Sequence, residues 1–144
     1  KGIIISEIQK KGKGRYGNKW ISLKGNLFIS IFCKTKKSLN IKNFTEQNCL
    51  ILKKVLNKFI KEKIQIKKPN DLLIRKKKFC GILQETIKYK NNNFIIIGIG
   101  INIQKSPVIP KYPTTHLSLY CDKINKKTIF KNIKKCYEDK LLCI

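Results

Sequence analysis

The stretch Gly12-Lys13-Gly14-Arg15-Tyr16-Gly17-Asn18-Lys19-Trp20 sets three glycines among the cations Lys13, Arg15 and Lys19. Glycine lets backbone N–H groups approach an anion closely, and the cations add positive charge beside them. Such a loop, between the apolar runs Ile3-Ile4-Ile5 and Leu27 to Phe32, suits a phosphate or an acyl-phosphate. Basic, Gly-rich loops also occur as plain solvated turns, so the loop takes its meaning from two later segments. One is Lys67-Lys68-Pro69-Asn70-Asp71, which leads to Lys78 and Gly81-Ile82-Leu83; the other is Gly98-Ile99-Gly100-Ile101-Asn102. Each residue in them also has a plain structural reading. Lys78 closes the run Lys76-Lys77-Lys78, which alone reads as a solvated turn. Asp71 reads as a turn stabiliser after Pro69, Gly98 and Gly100 as relief for close strand packing, Asn102 as a strand end, and Trp20 as core.

Hydrophobic periodicity supplies the elements that must position these residues. Gly2 to Gln9 reads as a buried strand entering the loop, and Asn26 to Lys34 as a second strand. After a polar connection from Thr35 to Asn43, a helix beginning near Phe44 or Thr45 carries Leu50, Leu52, Val55, Leu56, Phe59 and Ile60 on one face. Ile64 to Lys67 is a short strand stopped by Pro69. Asp71 to Arg75 and Lys78 to Tyr89 form a hairpin around Lys76-Lys77, and Lys90 to Asn93 turns into a long strand, Phe94 to Ile103. Pro107, Pro110 and Pro113 mark a loop, and Lys126 to Leu142 is a closing helix with Ile129, Phe130, Ile133, Tyr137 and Leu141 inward. The pattern predicts an α+β domain, a mixed, largely antiparallel sheet with helices packed on it.

At 144 residues the chain is one domain with room for a sizeable core. The longest apolar run, Phe94 to Ile103, is interrupted by two glycines and falls short of a membrane span. No signal-peptide pattern opens the chain. A formal charge of +25 invites a nucleic-acid reading, but the cations are almost all Lys, with Arg only at Arg15 and Arg75. Arg supplies the bidentate contacts that sequence-specific readers favour, and no aromatic residues are interleaved for stacking. A Lys-filled surface from biased coding is the preferred reading of the charge, and the absence of Ala beside abundant Lys, Ile and Asn reads as the mark of AT-rich coding. The six cysteines form no Cys-x-x-Cys and the one histidine is His116, so no metal site is expected. Cys33 and Cys80 read as small buried hydrophobes and imply a reducing, cytoplasmic compartment. The start at Lys1 and the lack of Met lead us to expect a fragment.

Taken together, the segments resemble the catalytic domain of biotin–protein ligases. Glu7, Gln9, Gly12, Gly14, Arg15, Gly17 and Trp20 match that family's strand and Gly-Arg-Gly-Arg-x-Gly-x-x-Trp loop, and Gly25-Asn26-Leu27 the Gly-Asn-Leu after it. Lys67-Lys68-Pro69-Asn70-Asp71 stands for Lys-Trp-Pro-Asn-Asp. Lys78, Gly81, Ile82, Leu83 and Glu85 reproduce Lys-x-x-Gly-Ile-Leu-x-Glu, and Gly98, Gly100, Ile101 and Asn102 reproduce Gly-x-Gly-Ile-Asn. A weaker match covers Pro113-Thr114-Thr115-His116-Leu117-Ser118.

The resemblance implies a cytoplasmic, ATP-binding ligase with the biotin-ligase fold related to class II aminoacyl-tRNA synthetases. Biotin and ATP would be its substrates, with Mg²⁺ on the phosphates. Biotin is activated as biotinyl-5′-AMP and passed to a lysine of a biotin carboxyl-carrier protein, such as that of acetyl-CoA carboxylase. Within that scheme Arg15 holds the adenylate, Lys78 bridges the biotin carboxylate and the α-phosphate, and Asp71 orients or deprotonates the incoming lysine. Gln9, Gly81 and Leu83 serve biotin, with Trp20 beside its pocket. Asn70 and Asn102 face the nucleotide, and Gly12, Gly14 and Gly98 shape the site. The family also implies homodimerisation through sheet edges, a strand and helix preceding this loop, and, in many bacterial members, a C-terminal β-barrel; these lie outside residues 1–144. Lys13, Asn18 and Lys68 depart from the pattern, Lys68 most, since it puts an amine where the family has a ring. Lipoate ligase or octanoyltransferase is the second enzyme reading, and a basic nucleic-acid-binding module the reading from another class.

Overall fold

The computed structural model describes residues 1–35 and 40–141. Six strands form one sheet: β1 (Gly2–Ser6), β2 (Leu27–Thr35), β3 (Ile64–Lys67), β4 (Asp71–Ile74), β5 (Lys77–Tyr89) and β6 (Asn92–Ile101), in the spatial order β1-β2-β6-β5-β4-β3. Every strand pair is antiparallel, so the sheet is not mixed; among the described residues the one parallel pairing is an isolated bridge between Lys78 and Thr114. Two helices, α1 (Ile41–Leu56) and α2 (Lys126–Leu141), contact each other, and the core lies between them and one face of the sheet.

The alternation of each strand decides what that face carries. Leu27, Ile29 and Ile31 of β2, Ile95, Ile97, Ile99 and Ile101 of β6, Cys80 and Ile82 of β5, and Leu72 and Ile74 of β4 all join the core. Leu52, Val55 and Leu56 of α1 and Ile129, Ile133 and Tyr137 of α2 cover them. The opposite face, including Ser30, Gly81, Leu83, Gly98 and Gly100, is left for the loop that follows β1.

Several boundaries differ from the sequence expectation. Asn40 caps α1 by accepting from the Asn43 N–H, so the helix starts ahead of Phe44. Leu50 is exposed rather than inward, and Phe59 and Ile60 lie beyond the helix end. β1 is an edge strand whose Ile4 and Ile5 are exposed, not a buried one. The β4–β5 turn is Arg75-Lys76, one residue earlier than expected, and the β5–β6 turn is Lys90-Asn91. All four have positive φ, as two-residue hairpin turns require. The expectations for Leu141, for a helix end at Leu142 and for residues 36–39 of the polar connection fall outside the described residues. No helix of the described residues is long and apolar enough to cross a membrane.

Candidate active site

A β-bulge sets the centre of the site. Leu73 pairs with Lys78 while Leu72 pairs with Cys80, so Phe79 is an extra residue on β5. Without it, Lys78 would share the core face with Cys80; the bulge returns it to the face of Gly81. Asp71 pairs directly across from Gly81 and meets Lys78 there, with Oδ1 2.8 Å from Nζ. Both side chains are less than one-fifth exposed (17% and 19%), so the pair is substantially shielded from solvent. Asn70 locks this corner, its Nδ2 donating to the Ile82 carbonyl at 2.6 Å and its own carbonyl accepting from the Ile82 N–H at 3.0 Å. On the other side, the Cys49 thiol of α1 reaches the Pro69 carbonyl at 3.6 Å.

Trp20 lies flat on a floor made of glycine. The β5–β6 register pairs Gly81 with Gly100, and a Cβ on either would strike the indole, at 2.7 Å for Gly81 and 2.5 Å for Gly100. The Lys78 ammonium lies over the ring, its Nζ 5.5 Å from the centroid, and on another side over the ring of Tyr112 at 5.2 Å. The Trp20 indole N–H is buried and has no hydrogen-bond partner among the described residues. The basic loop is held as a small closed turn by Gly14 N–H to the Asn18 carbonyl (2.6 Å), Trp20 N–H to the Gly12 carbonyl (3.0 Å) and an isolated bridge between Lys13 and Lys19. At its tip Arg15 donates to the Tyr16 hydroxyl at 2.7 Å and stacks on that ring.

Loop, sheet face and the Ile109–Tyr112 segment enclose an open cleft of about 940 Å³. Of the residues singled out in the sequence, Gln9, Gly14, Arg15, Trp20, Asn70, Asp71, Lys78, Gly81, Leu83 and Gly98 line it; Gly12 lines an adjoining hollow that shares the loop. Gln9 accepts from the Ser22 hydroxyl at 3.2 Å. Seven cations (Lys11, Lys13, Arg15, Lys19, Lys67, Lys78 and Lys111) against two carboxylates (Asp71 and Glu85) line the cleft among the described residues, so it favours a polyanion.

Four residues stand outside that set. Asn102 is buried: its amide donates to the Thr115 carbonyl (3.2 Å), its oxygen accepts from the Asn26 amide, and it lines a small hollow beside the main cleft with Trp20, Lys78 and Tyr112. Asn26 is the hub of that corner, one side-chain oxygen accepting the N–H groups of Ile103, Gln104 and Lys105. Lys68 does not line the cleft. It reaches out to Glu46 of α1 at 3.0 Å. Tyr112 was missed by sequence reasoning; an aromatic residue before Pro113, just ahead of the weaker motif, was the available signal.

Beneath the site lie buried thiols. Burial, reinforced by the negative charges of Asp71 and Glu46, pushes the Cys49 thiol up to about 11, and burial also raises Cys80 and the Tyr137 phenol. These groups are neutral packing at ordinary pH. His116, lowered by burial, shares a hydrogen bond with Ser106 and stands apart from the cleft.

The bifunctional ligase/repressor BirA of Escherichia coli is 36% identical over 102 residues, covering 69% of this chain and 32% of that protein. BirA of Bacillus subtilis is 29% identical over 147 residues, covering 94% of this chain and 44% of that protein. The chain therefore spans between about a third and under half the length of these relatives. A biotin protein ligase from Aquifex aeolicus, solved in complex with biotin and ATP, superimposes with a TM-score of 0.82 at 27% identity, over 97% of this chain and 60% of that one. The model of the biotin/lipoate A/B protein ligase family matches residues 1–102, which hold every motif placed around the cleft except Tyr112 and its loop, and the chain belongs to that family.

Proposed function

We propose that this chain forms the catalytic part of an ATP-dependent biotin–protein ligase, making biotinyl-5′-AMP and transferring biotin to a lysine of a carrier protein. The observation that carries the reading is the shielded Lys78–Asp71 pair, 2.8 Å apart, on the wall of a strongly positive cleft beside Trp20. Asp71 holds the ammonium as an ion pair, and an ammonium carries three N–H donors that can reach ligand oxygens. Those donors suit the biotin carboxylate and the α-phosphate of ATP, which must meet although both are negative. A biotin carboxylate oxygen bonds to the α-phosphorus as the bond to the β-phosphate oxygen breaks, releasing pyrophosphate. Lys78 holds the charge that accumulates between them, and such fixed cations are worth roughly 10²–10³ in rate. Arg15 leaves Tyr16 to close on the adenylate. In the second step a neutral lysine amine attacks the acyl carbon, AMP leaves, and Asp71 stands where it can accept the amine proton.

The apolar wall of Trp20, Leu83 and Ile96 suits the fused rings of biotin, with Gln9 at its polar edge. Mg²⁺ fits as a companion of the ATP phosphates, since of the cleft carboxylates Asp71 is committed to Lys78 and only Glu85 remains. The acceptor is proposed to be a biotin carboxyl-carrier protein.

The test is adenylate formation from α-labelled ATP with biotin or lipoate, alongside Lys78→Ala and Arg15→Ala. Biotin-dependent adenylate that falls at least about 10²-fold in Lys78→Ala supports the reading. Adenylate formed with lipoate in preference to biotin moves the chain to the lipoate branch of its family. No binding of a non-hydrolysable biotinyl-adenylate analogue, together with salt-steep binding to DNA or RNA, would overturn it.

A further inference from the structure

We infer that Tyr112 is a positioning residue for Lys78, its ring completing an aromatic clamp that aims the ammonium at the reacting oxygens. The inference rests on the proposed adenylation reaction. Tyr112 lies beyond the residues that the family model matches, so no role comes to it from there.

The geometry is reciprocal. The backbone of Lys78 is gripped on both sides by the loop that carries Tyr112: Lys78 N–H donates to the Pro113 carbonyl at 3.0 Å, and Thr115 N–H donates to the Lys78 carbonyl at 2.9 Å. Thr114 makes an isolated parallel bridge to Lys78, and its hydroxyl donates back to the Pro107 carbonyl, closing the loop on itself. The residue whose ammonium Tyr112 faces therefore also fixes where Tyr112 stands. Lys78 Nζ is then held by three partners: the Asp71 carboxylate at 2.8 Å, the Trp20 ring at 5.5 Å and the Tyr112 ring at 5.2 Å.

A lysine side chain has four carbon torsions and a strongly hydrated head, so a single carboxylate leaves it free to swing. Two ring faces remove that freedom without consuming a hydrogen-bond donor, because a cation is attracted to the quadrupole of the ring. The donors stay available for the two ligand oxygens. The Tyr112 hydroxyl forms no hydrogen bond with the described residues, so the face of the ring, not its oxygen, is what acts.

Two variants separate face from hydroxyl. Tyr112→Phe keeps the face and is expected within about two-fold of the parent in adenylate formation. Tyr112→Leu keeps bulk but loses the face, and is expected to lower kcat about 5- to 30-fold while the KM for ATP changes little. In the Lys78→Ala background the Leu change should cost nothing further, because its effect passes through Lys78. An independent readout is the NMR shift of the Lys78 Cε protons, assigned by their loss in Lys78→Ala. Flanking rings displace them upfield, Tyr112→Leu should return them part-way, and Tyr112→Phe should not. The inference is overturned if Leu matches the parent, if Phe falls as far as Leu, or if the loss persists in full without Lys78, as direct stacking on the nucleotide would require. Absence of adenylate from the parent chain refutes the reaction instead, while the NMR shifts still decide the clamp.

Discussion

Replacing Gly100 by Ala tests whether the glycine floor exists to seat Trp20. The new Cβ would lie 2.5 Å from both Cε2 and Cζ2 of the indole and 3.0 Å from Nε1, where ordinary contact begins near 3.4 Å. The ring must retreat by roughly an ångström. In a closed core such overpacking costs about 1–3 kcal/mol. Here the indole can slide toward the open cleft, so the lower end applies, about 1 kcal/mol, or a Tm lowered by about 3–5 °C for a chain of this size. The functional loss should be far larger, because an ångström of misplacement at a reacting centre costs about 10²-fold, and Trp20 also flanks Lys78. Trp20 is the only tryptophan of the chain, so intrinsic fluorescence reports the ring directly. The expected result is a shifted emission maximum, a small fall in Tm and a large fall in adenylate formation or analogue affinity. Gly98→Ala is the internal control: its Cβ would meet only Leu83, at 3.5 and 3.8 Å, which is ordinary contact. It should leave emission and Tm near the parent values. If Gly100→Ala keeps the parent emission and affinity, or if Gly98→Ala perturbs the indole as much, the seating argument fails.

Asn26→Ala should destabilise by at least about 3 kcal/mol in urea titration, because it leaves three backbone N–H groups without their common acceptor in a buried corner; a loss below about 1 kcal/mol would mean that water replaces it. Alkaline pH should unfold the chain through its buried thiols. Cys49 is raised from 9.0 to about 11, so the folded state holds its proton more tightly than the unfolded one, and stability present below pH 9 is lost as pH climbs toward 11. The slope is about 1.4 kcal/mol per pH unit for each such group. Cys80 and Tyr137 act in the same direction, and Cys49→Ala should flatten the Tm-against-pH curve over that window. Lys68→Ala should leave adenylate formation within about two-fold and cost under about 1 kcal/mol, since its partner Glu46 is solvent-accessible and the pair stands outside the cleft.

Much of the fold was legible because β6 and α1 carry unmistakable periods. Ile95, Ile97, Ile99 and Ile101 alternate, and Leu52, Val55 and Leu56 recur at helical spacing, so both elements and their buried faces follow from pattern alone. The errors arose where local chemistry competes with pattern. Ile3-Ile4-Ile5 looks like an interior strand, but β1 has only β2 as a neighbour, and an apolar run does not say how many partners a strand has. The Arg75-Lys76 turn was displaced by one residue because neither side chain advertises a positive φ. Asn40 caps α1 from within a polar stretch in which several residues could have done so.

The site was legible as a set of residues and illegible as an arrangement. Lys78 and Gly81 are three apart, an odd spacing that places them on opposite faces of any regular strand. Only the extra residue Phe79 brings them to one face, and nothing in Lys-Phe-Cys-Gly declares a bulge. Gly81 and Gly100 likewise read as separate motifs, each with its own glycine, until the β5–β6 register sets them side by side and gives both one purpose under Trp20. Asn102 shows the reverse. It belongs to the same motif as Gly98 and Gly100, but it follows the last residue of β6, where the chain leaves the sheet, and its amide turns inward to Asn26 and Thr115. A motif thus mixes residues that line the cleft with residues that hold the corner. The two kinds separate by experiment: Asn102→Ala should lower Tm and ligand affinity together, whereas Lys78→Ala should lower adenylate formation at least about 10²-fold at a stability cost below the roughly 3–5 kcal/mol of a fully buried pair.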